Sequence, residues 1–356
     1  MDLSLTDEQR LIAATVHDFV ERELYPHEDE VERLDEVPGE VARAIRKKAI
    51  AAGLYAANMP AELGGGGLDA VSLVLVEREL GRASYALQML VERPSNILQA
   101  CQEEQRERYL LPAIRGERHD CVAMTEPEAG SDVRSMTITA VRDGDSYVVT
   151  GTKHFISHAD VADFIILFAA TGQEQTTRGP KKLITALLVD SPSPGLAVRR
   201  GPPCVSNRGY HHCELVFSGC RVPVANRLGE EGGGLELMSR WLSATRLQVA
   251  ATSVGRARRV LEAATQWAAS RRQFGQQAPE LFAVLDHKPC LRHQRSRRAG
   301  AVPAERPGLL PGDANRLTKS RAVWATSCQP WSMVREWPRL GIFMICVTAG
   351  LRFCRL

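Results

Sequence analysis

The apolar residues of this chain change period twice, near residue 120 and again near residue 230. That double change restricts the fold more than any composition figure does. Before 120 the spacing is helical. Thr6 followed by Gln9 forms a capping box, and Leu11, Ile12, Thr15, Val16 and Phe19 follow on one helical face. A second periodic stretch over 40–52 stops at Gly53. The four glycines of AELGGGGLDA (61–70) impose a loop, and 71–82 and 97–115 are predicted as two further helices. Between 120 and 230 the runs become short and β-rich. ITAVRDGDSYVVTG (138–151) places two of them around Arg142-Asp143-Gly144-Asp145, a hairpin signal. FIILFAA (164–170), LITALLVD (183–190), LAVRR (196–200) and CELVFSGCRVP (213–223) continue as strands between Pro/Gly/Ser loops. After GEEGGG (229–234) the helical pattern returns over 235–273, interrupted at most at Gly255. The order predicts an α+β protein. Its parts are an N-terminal helical domain (1–118), a small antiparallel β domain (119–228), the start of a C-terminal helical domain (229–285) and an atypical basic tail (286–356).

The tail departs from the rest in charge and texture. The net charge of +3 is the balance of +9 over 286–356, with 13 Lys+Arg against 4 Asp+Glu, and −6 over 1–285. The same 71 residues carry three of the five tryptophans, four of the nine cysteines, and Pro303, Pro307, Pro311, Pro330 and Pro338. An interior proline costs a helix about 3 kcal/mol, so no long helix is predicted there. A basic tail is one footprint of nucleic-acid binding, but no nucleic-acid partner is assigned. MDLSLTDEQR is not a secretory signal. The run GIFMICVTAGL (341–351) falls short of the roughly 20 residues that span a bilayer. The expectation is a cytoplasmic protein without a membrane span, whose cysteines are free thiols.

Four stretches carry chemistry. HDCVAMTEPEAGSDVRSM (119–136) packs carboxylates, hydroxyls, a proline and a glycine into one segment, without a Cys-x-x-Cys pair, a Gly-x-Gly-x-x-Gly or a phosphate-loop lysine. It suits a polar, flat ligand. GTKHFIS (151–157), ATR (244–246) and RRQFG (271–275) follow. His154 and His158 lie four apart in a strand–loop context and share no helical face, so no metal site is predicted. In this order and at these distances the four stretches resemble the acyl-CoA dehydrogenase family, over about residues 1–275.

The resemblance implies a fold, a cofactor and a site. FAD would lie between the β domain and the C-terminal helices, with Val122 to Ser131 along its isoalloxazine. Met124 and Thr125 would hydrogen-bond the polar flavin edge, and Ser131 would face the acyl-CoA. Phe155, Ile156 and Ser157 would form a second wall, with Phe155 over the ring and Ser157 near N5. Arg271, three residues before Phe274, resembles the arginine that holds the FAD pyrophosphate across a subunit interface, where a guanidinium fork suits phosphate oxygens. Gln273 would assist it. Arg246 aligns with an arginine near the CoA thioester. The implied reaction is α,β-dehydrogenation of an acyl-CoA to an enoyl-CoA, with electron-transferring flavoprotein as acceptor and a homo-oligomer (dimer or tetramer) where the C-terminal bundle is intact.

The chain departs from the family at one chemical requirement. Abstraction of the α-proton needs a positioned carboxylate. Family members carry it near the C-terminus in a stretch resembling Tyr-Glu-Gly-Thr, or immediately before the arginine matched by Arg246. Thr245 stands at the second position, and neither Glu305 nor Glu336 precedes Gly-Thr. No catalytic residue is therefore assigned. The expectation is a reading frame changed near 276–286 and a chain without turnover. Two further functions stay open: a flavin monooxygenase of the same fold, and a non-catalytic acyl-CoA or subunit-binding protein.

Overall fold

A computed structural model describes residues 4–91, 94–177, 179–273 and 276–277. The basic tail, Glu305, Glu336, Phe274 and residues 278–286 of the stretch where the frame change is expected lie outside them. The chain divides into two compact units, Met1–Val260 and Leu261–Leu356.

The first unit opens with helices. α1 (Asp7–Phe19) begins at the predicted capping box: the Gln9 amide donates to Thr6 Oγ1, and the Thr6 amide to Gln9 Oε1, both at 3.1 Å. It buries Val16 and Phe19. A π-turn at Val20–Leu24 and a 3₁₀ turn lead into α2 (Glu28–Leu34), and α3 (Gly39–Ala51) stops before Gly53, whose φ is +69°. α4 (Ala70–Leu80) starts at Asp69, whose carboxylate accepts the amides of Val71 and Ser72 at 2.8 and 2.9 Å. α5 (Tyr85–Gln88) is one turn.

The helix predicted over 97–115 is broken. Asn96–Ala100 is a 3₁₀ turn, Cys101 is extended, and helix resumes as α6 (Glu103–Gln105), a π-turn (Arg106–Leu110) and α7 (Leu111–Ile114). Pro112 explains the distortion near its end, since it has no amide to give the carbonyl four residues earlier. That carbonyl, of Arg108, takes the Arg118 guanidinium instead, at 3.0 Å.

The sheet has eight strands: β1 (Asp120–Ala123), β2 (Thr139–Asp143), β3 (Ser146–Ser157), β4 (Phe164–Thr176), β5 (Gly179–Asp190), β6 (Leu196–Arg200), β7 (His212–Pro223) and β8 (Arg227–Leu228). Its order is β6-β7-β3-β2-β4-β5-β8, with β1 on β4. The predicted hairpin is β2–β3, closed at Gly144-Asp145. Pairing is mainly antiparallel, but β1 and β2 both run parallel to β4. β4 is buried on both faces. Phe164, Ile166 and Phe168 join the core shared with the helices, while Ile165, Leu167 and Ala169 join a second core formed with β3, β5 and β7. Period two thus divides one strand between two cores.

α8 (Gly234–Ser270) is continuous through Gly255. Gly255 is there for packing: a Cβ on it would lie 1.8 Å from the Arg78 carbonyl oxygen, and one on Gly81 would lie 2.4 Å from the carbonyl oxygen of Thr252. α4 and α8 therefore cross backbone to backbone. Arg259 adds a fork to the Glu28 carboxylate, at 2.6 and 2.5 Å. Leu247, Val249 and Val254 on α8 stay about half exposed. In the second unit the helix ends at Ser270, and β9 (Arg272–Gln273) pairs with β10 (Gln276–Gln277). No helix among the described residues is long and apolar enough to cross a membrane.

Candidate functional site

Two segments about thirty residues apart in sequence meet at one cavity of about 320 Å³. Val122, Met124 and Thr125, leaving β1, line one wall, and Phe155, Ile156 and Ser157, ending β3, line another. α8 supplies Trp241, Thr245 and Gln248. Six of the residues singled out in the sequence therefore converge. Ser131 and Arg246 do not line the cavity, and both are exposed. Arg271 lies in the second unit, exposed, with its guanidinium 4.5 Å from the Trp267 ring centre. Gln273 lies in β9, opposite Gln276.

The walls are held by a pair that the sequence reading passed over. Lys153 is fully buried, and its ammonium donates to Glu126 Oε1 at 3.0 Å and to the Met124 carbonyl at 2.7 Å. Glu126 also accepts the Thr137 amide and hydroxyl at 2.6 and 2.8 Å and the Ile138 amide at 3.2 Å. Burial pushes the Glu126 carboxyl upward, but the Thr137 hydrogen bonds and the Lys153 charge outweigh it and hold the group below the usual carboxylate range. The Thr125 carbonyl is fixed as well, accepting the His154 amide at 2.8 Å. So β3 clamps the 122–126 segment. The available signal was one lysine and one glutamate placed in the two wall motifs.

Phe155 reaches the cavity through a bulge. β3 and β7 pair at Lys153–Leu215 and again at Ile156–Cys213, which leaves His154 and Phe155 opposite Glu214 alone. Phe155 has φ of +56°, a costly conformation for an aromatic residue, and is 57% exposed. Its ring stacks on His154, with centroids 3.9 Å apart. Ser157 Oγ lies 3.0 Å from His212 Nδ1. Burial, and then the neighbouring His211, lower the His212 pKa and favour the neutral ring. The site thus offers an exposed aromatic face on strained backbone beside the hydroxyls of Thr125 and Ser157. That donor set fits a flat, polar-edged heteroaromatic ring such as isoalloxazine.

Proton abstraction is less well provided for. Thr245 faces the cavity from α8 with a hydroxyl. Asp120 is the one carboxylate among the described lining residues, and its Oδ1 accepts the Ser95 amide at 3.2 Å.

Three domain families match in chain order: acyl-CoA dehydrogenase N-terminal domain over 6–117, middle domain over 121–220 and C-terminal domain over 232–287. The last match reaches somewhat beyond residue 275, and none covers 288–356. A probable acyl-CoA dehydrogenase of Bacillus subtilis is 33% identical, covering 80% of this chain and 74% of its own. A caffeyl-CoA reductase–Etf complex subunit of Acetobacterium woodii is 33% identical over 78% and 73%. Among solved structures, a glutaryl-CoA dehydrogenase from Mycobacterium smegmatis in complex with FADH2 superposes with a TM-score of 0.67 at 26% identity, covering 82% of this chain and 72% of that one.

Proposed function

This chain belongs to the acyl-CoA dehydrogenase family of oxidoreductases, and we propose that its cavity holds the isoalloxazine of FAD against an acyl-CoA thioester. One observation carries the reading: six wall residues from two distant motifs line a single cavity together with Thr245 of α8. FAD bound there supplies a two-electron acceptor for oxidation of the acyl Cα–Cβ bond. The residues do the positioning. Thr125 and Ser157 hydroxyls and the Met124 backbone meet the polar ring edge, Phe155 covers one face, and Val122 and Ile156 close the apolar sides. The Lys153–Glu126 clamp keeps the first wall in place. Ser131 and Arg246 serve the CoA portion, and Arg271 with Gln273 serves the pyrophosphate of FAD in a second copy of the chain. This makes the working form a homo-oligomer of helical (1–118), β (119–228) and helical (229–285) domains in the cytoplasm. A relative named as part of an Etf complex supports electron-transferring flavoprotein as the acceptor.

The α8 position facing the cavity is a threonine, which cannot take the α-proton at neutral pH. The proposed chain therefore binds flavin and acyl-CoA but turns over slowly or not at all. The test is the absorbance of the purified protein, followed by anaerobic titration with acyl-CoAs in the absence of NAD(P)H. A yellow protein whose flavin spectrum shifts on acyl-CoA addition with little bleaching is expected. A colourless protein that takes up no added FAD would refute the flavin reading. Reduction by NAD(P)H but no response to any acyl-CoA would favour the monooxygenase reading instead.

A further inference from the structure

Of the two wall hydroxyls, those of Thr125 and Ser157, only Ser157 is held by another side chain among the described residues. Its holder is His212. The two residues pair directly across β3 and β7, just beyond the bulge that carries His154 and Phe155, and so share one face of the sheet. Ser157 Oγ and His212 Nδ1 lie 3.0 Å apart. His212 does not line the cavity, so it reaches a ligand there only through Ser157.

The position of the His212 ring is set by its neighbours. Tyr210, which lines the cavity, packs edge-on against it with ring centres 5.2 Å apart. The His212 carbonyl accepts the Gly201 amide at 2.8 Å, and a Cβ on Gly201 would lie 2.6 Å from that oxygen, so the chain leaving β6 holds the same backbone. His211 does not compete for Ser157, because its Nδ1 is 2.8 Å from Asp160 and its Nε2 is 3.0 Å from the Asp35 carbonyl. The ring is fixed, but its proton is not. His212 Nδ1 meets Ser157, while Nε2 has no partner among the described residues, so no protein group selects one neutral tautomer.

This freedom matters because a hydroxyl has one proton and two lone pairs. With the imidazole proton on Nδ1, His212 donates to Ser157 Oγ and Ser157 donates into the cavity. With it on Nε2, Ser157 donates to His212 and turns a lone pair to the cavity. Exchange between the two carries one proton from Nδ1 to Nε2 through water and leaves the ring neutral. Isoalloxazine asks for both directions, since its polar edge has a bare nitrogen when oxidised and an N–H when reduced. A group that only donates would face a donor in the reduced state and lose its hydrogen bond. Burial, and then His211, favour the neutral His212 ring, and only the neutral ring keeps both directions open.

Resting on the flavin reading above, we infer that His212 is a positioning residue that acts on the bound ring through Ser157, switching tautomer so that the Ser157 hydroxyl donates to the ring edge when it is oxidised and accepts from it when it is reduced.

The test is NMR of the full-length chain carrying nitrogen-labelled histidine, in which the two tautomers give distinct ring-nitrogen shifts. His212 is assigned as the signal lost in His212→Leu, or in His212→Asn should the leucine variant fail to fold. Without FAD, Ser157→Ala should move the His212 Nδ1 signal; an unmoved signal would overturn the pairing. With FAD bound, the His212 proton should sit on Nδ1 in the oxidised protein and on Nε2 after reduction with dithionite, and Ser157→Ala should abolish the change. One tautomer in both states would overturn this inference and leave the flavin reading standing. By fluorescence titration, His212→Leu should weaken FAD binding about threefold, with no further loss in a Ser157→Ala background. An equal loss in both backgrounds would mean that His212 serves packing alone, against the inference. A chain that takes up no FAD would overturn the flavin reading and this inference together.

Discussion

Glu126→Gln is the sharpest test of how the site is held. The substitution keeps the shape and removes the charge. Glu126 meets four donors: the Thr137 amide and hydroxyl, the Ile138 amide and the Lys153 ammonium. A carboxamide turns one end from acceptor to donor, so at least one of these contacts becomes donor against donor. Lys153, fully buried, keeps the Met124 carbonyl but loses its counter-charge. Removing one partner of a buried pair costs about 3–5 kcal/mol, a large share of a total stability of about 5–15 kcal/mol. The melting temperature should fall by roughly 6–20 °C. The pH dependence identifies the cause. Burial pulls the Lys153 ammonium from its usual 10.5 down to about 8, while Glu126 opposes that pull. A cation with a folded pKa below its unfolded value binds fewer protons when folded, so stability rises with pH between the two values. Without Glu126 the folded value drops further, and the variant should regain more stability from pH 7 to 9 than the wild type does. For Glu126 the sign is opposite. Its depressed pKa contributes stability that is present above the ordinary carboxylate value and lost as pH falls through the folded one. Adding Lys153→Met to the variant removes the stranded charge and should recover part of the loss. Urea melts of the single and double variants across pH read all of this. A loss under about 1 kcal/mol for Glu126→Gln, or no added pH dependence, would refute the clamp.

Gly255→Ala should cost about 1–3 kcal/mol in a denaturant melt, because its methyl would sit 1.8 Å from the Arg78 carbonyl oxygen and force α4 and α8 apart; a neutral result would mean that the crossing is looser than described. Thr125→Ala and Ser157→Ala should each weaken flavin retention by roughly 1 kcal/mol, about fivefold, read by fluorescence titration of FAD; unchanged affinity and spectrum in both would tell against the assigned walls. Arg271→Ala should lower FAD affinity tenfold or more and Arg272→Ala far less, since a charge-assisted hydrogen bond contributes roughly 1.5–3 kcal/mol; equal losses would mean that the register to Phe274 is wrong.

Where a residue's fate depends on its own element, the sequence alone determined it. The Thr6–Gln9 capping box, the stop at Gly53, the Gly144-Asp145 hairpin and the period-two strands follow from local sterics and from which face an element turns inward. The order of the four motifs, compared with a family, also named the wall residues. Tertiary structure decided what depends on partners far along the chain. Four residues of β1 show no strong pattern, yet they become strand because β4, more than forty residues later, offers a free parallel edge. Nothing in the sequence singles out Lys153 and Glu126 as a pair; the bulged end of β3, folded over 122–126, buries both. Gly255 read as a weak point in a helix until α4 was laid against it. The lack of a carboxylate at Thr245 was legible from the sequence. That Thr245 faces the cavity lined by both wall motifs was not, because a cavity is a property of the elements around it and of no single stretch of chain.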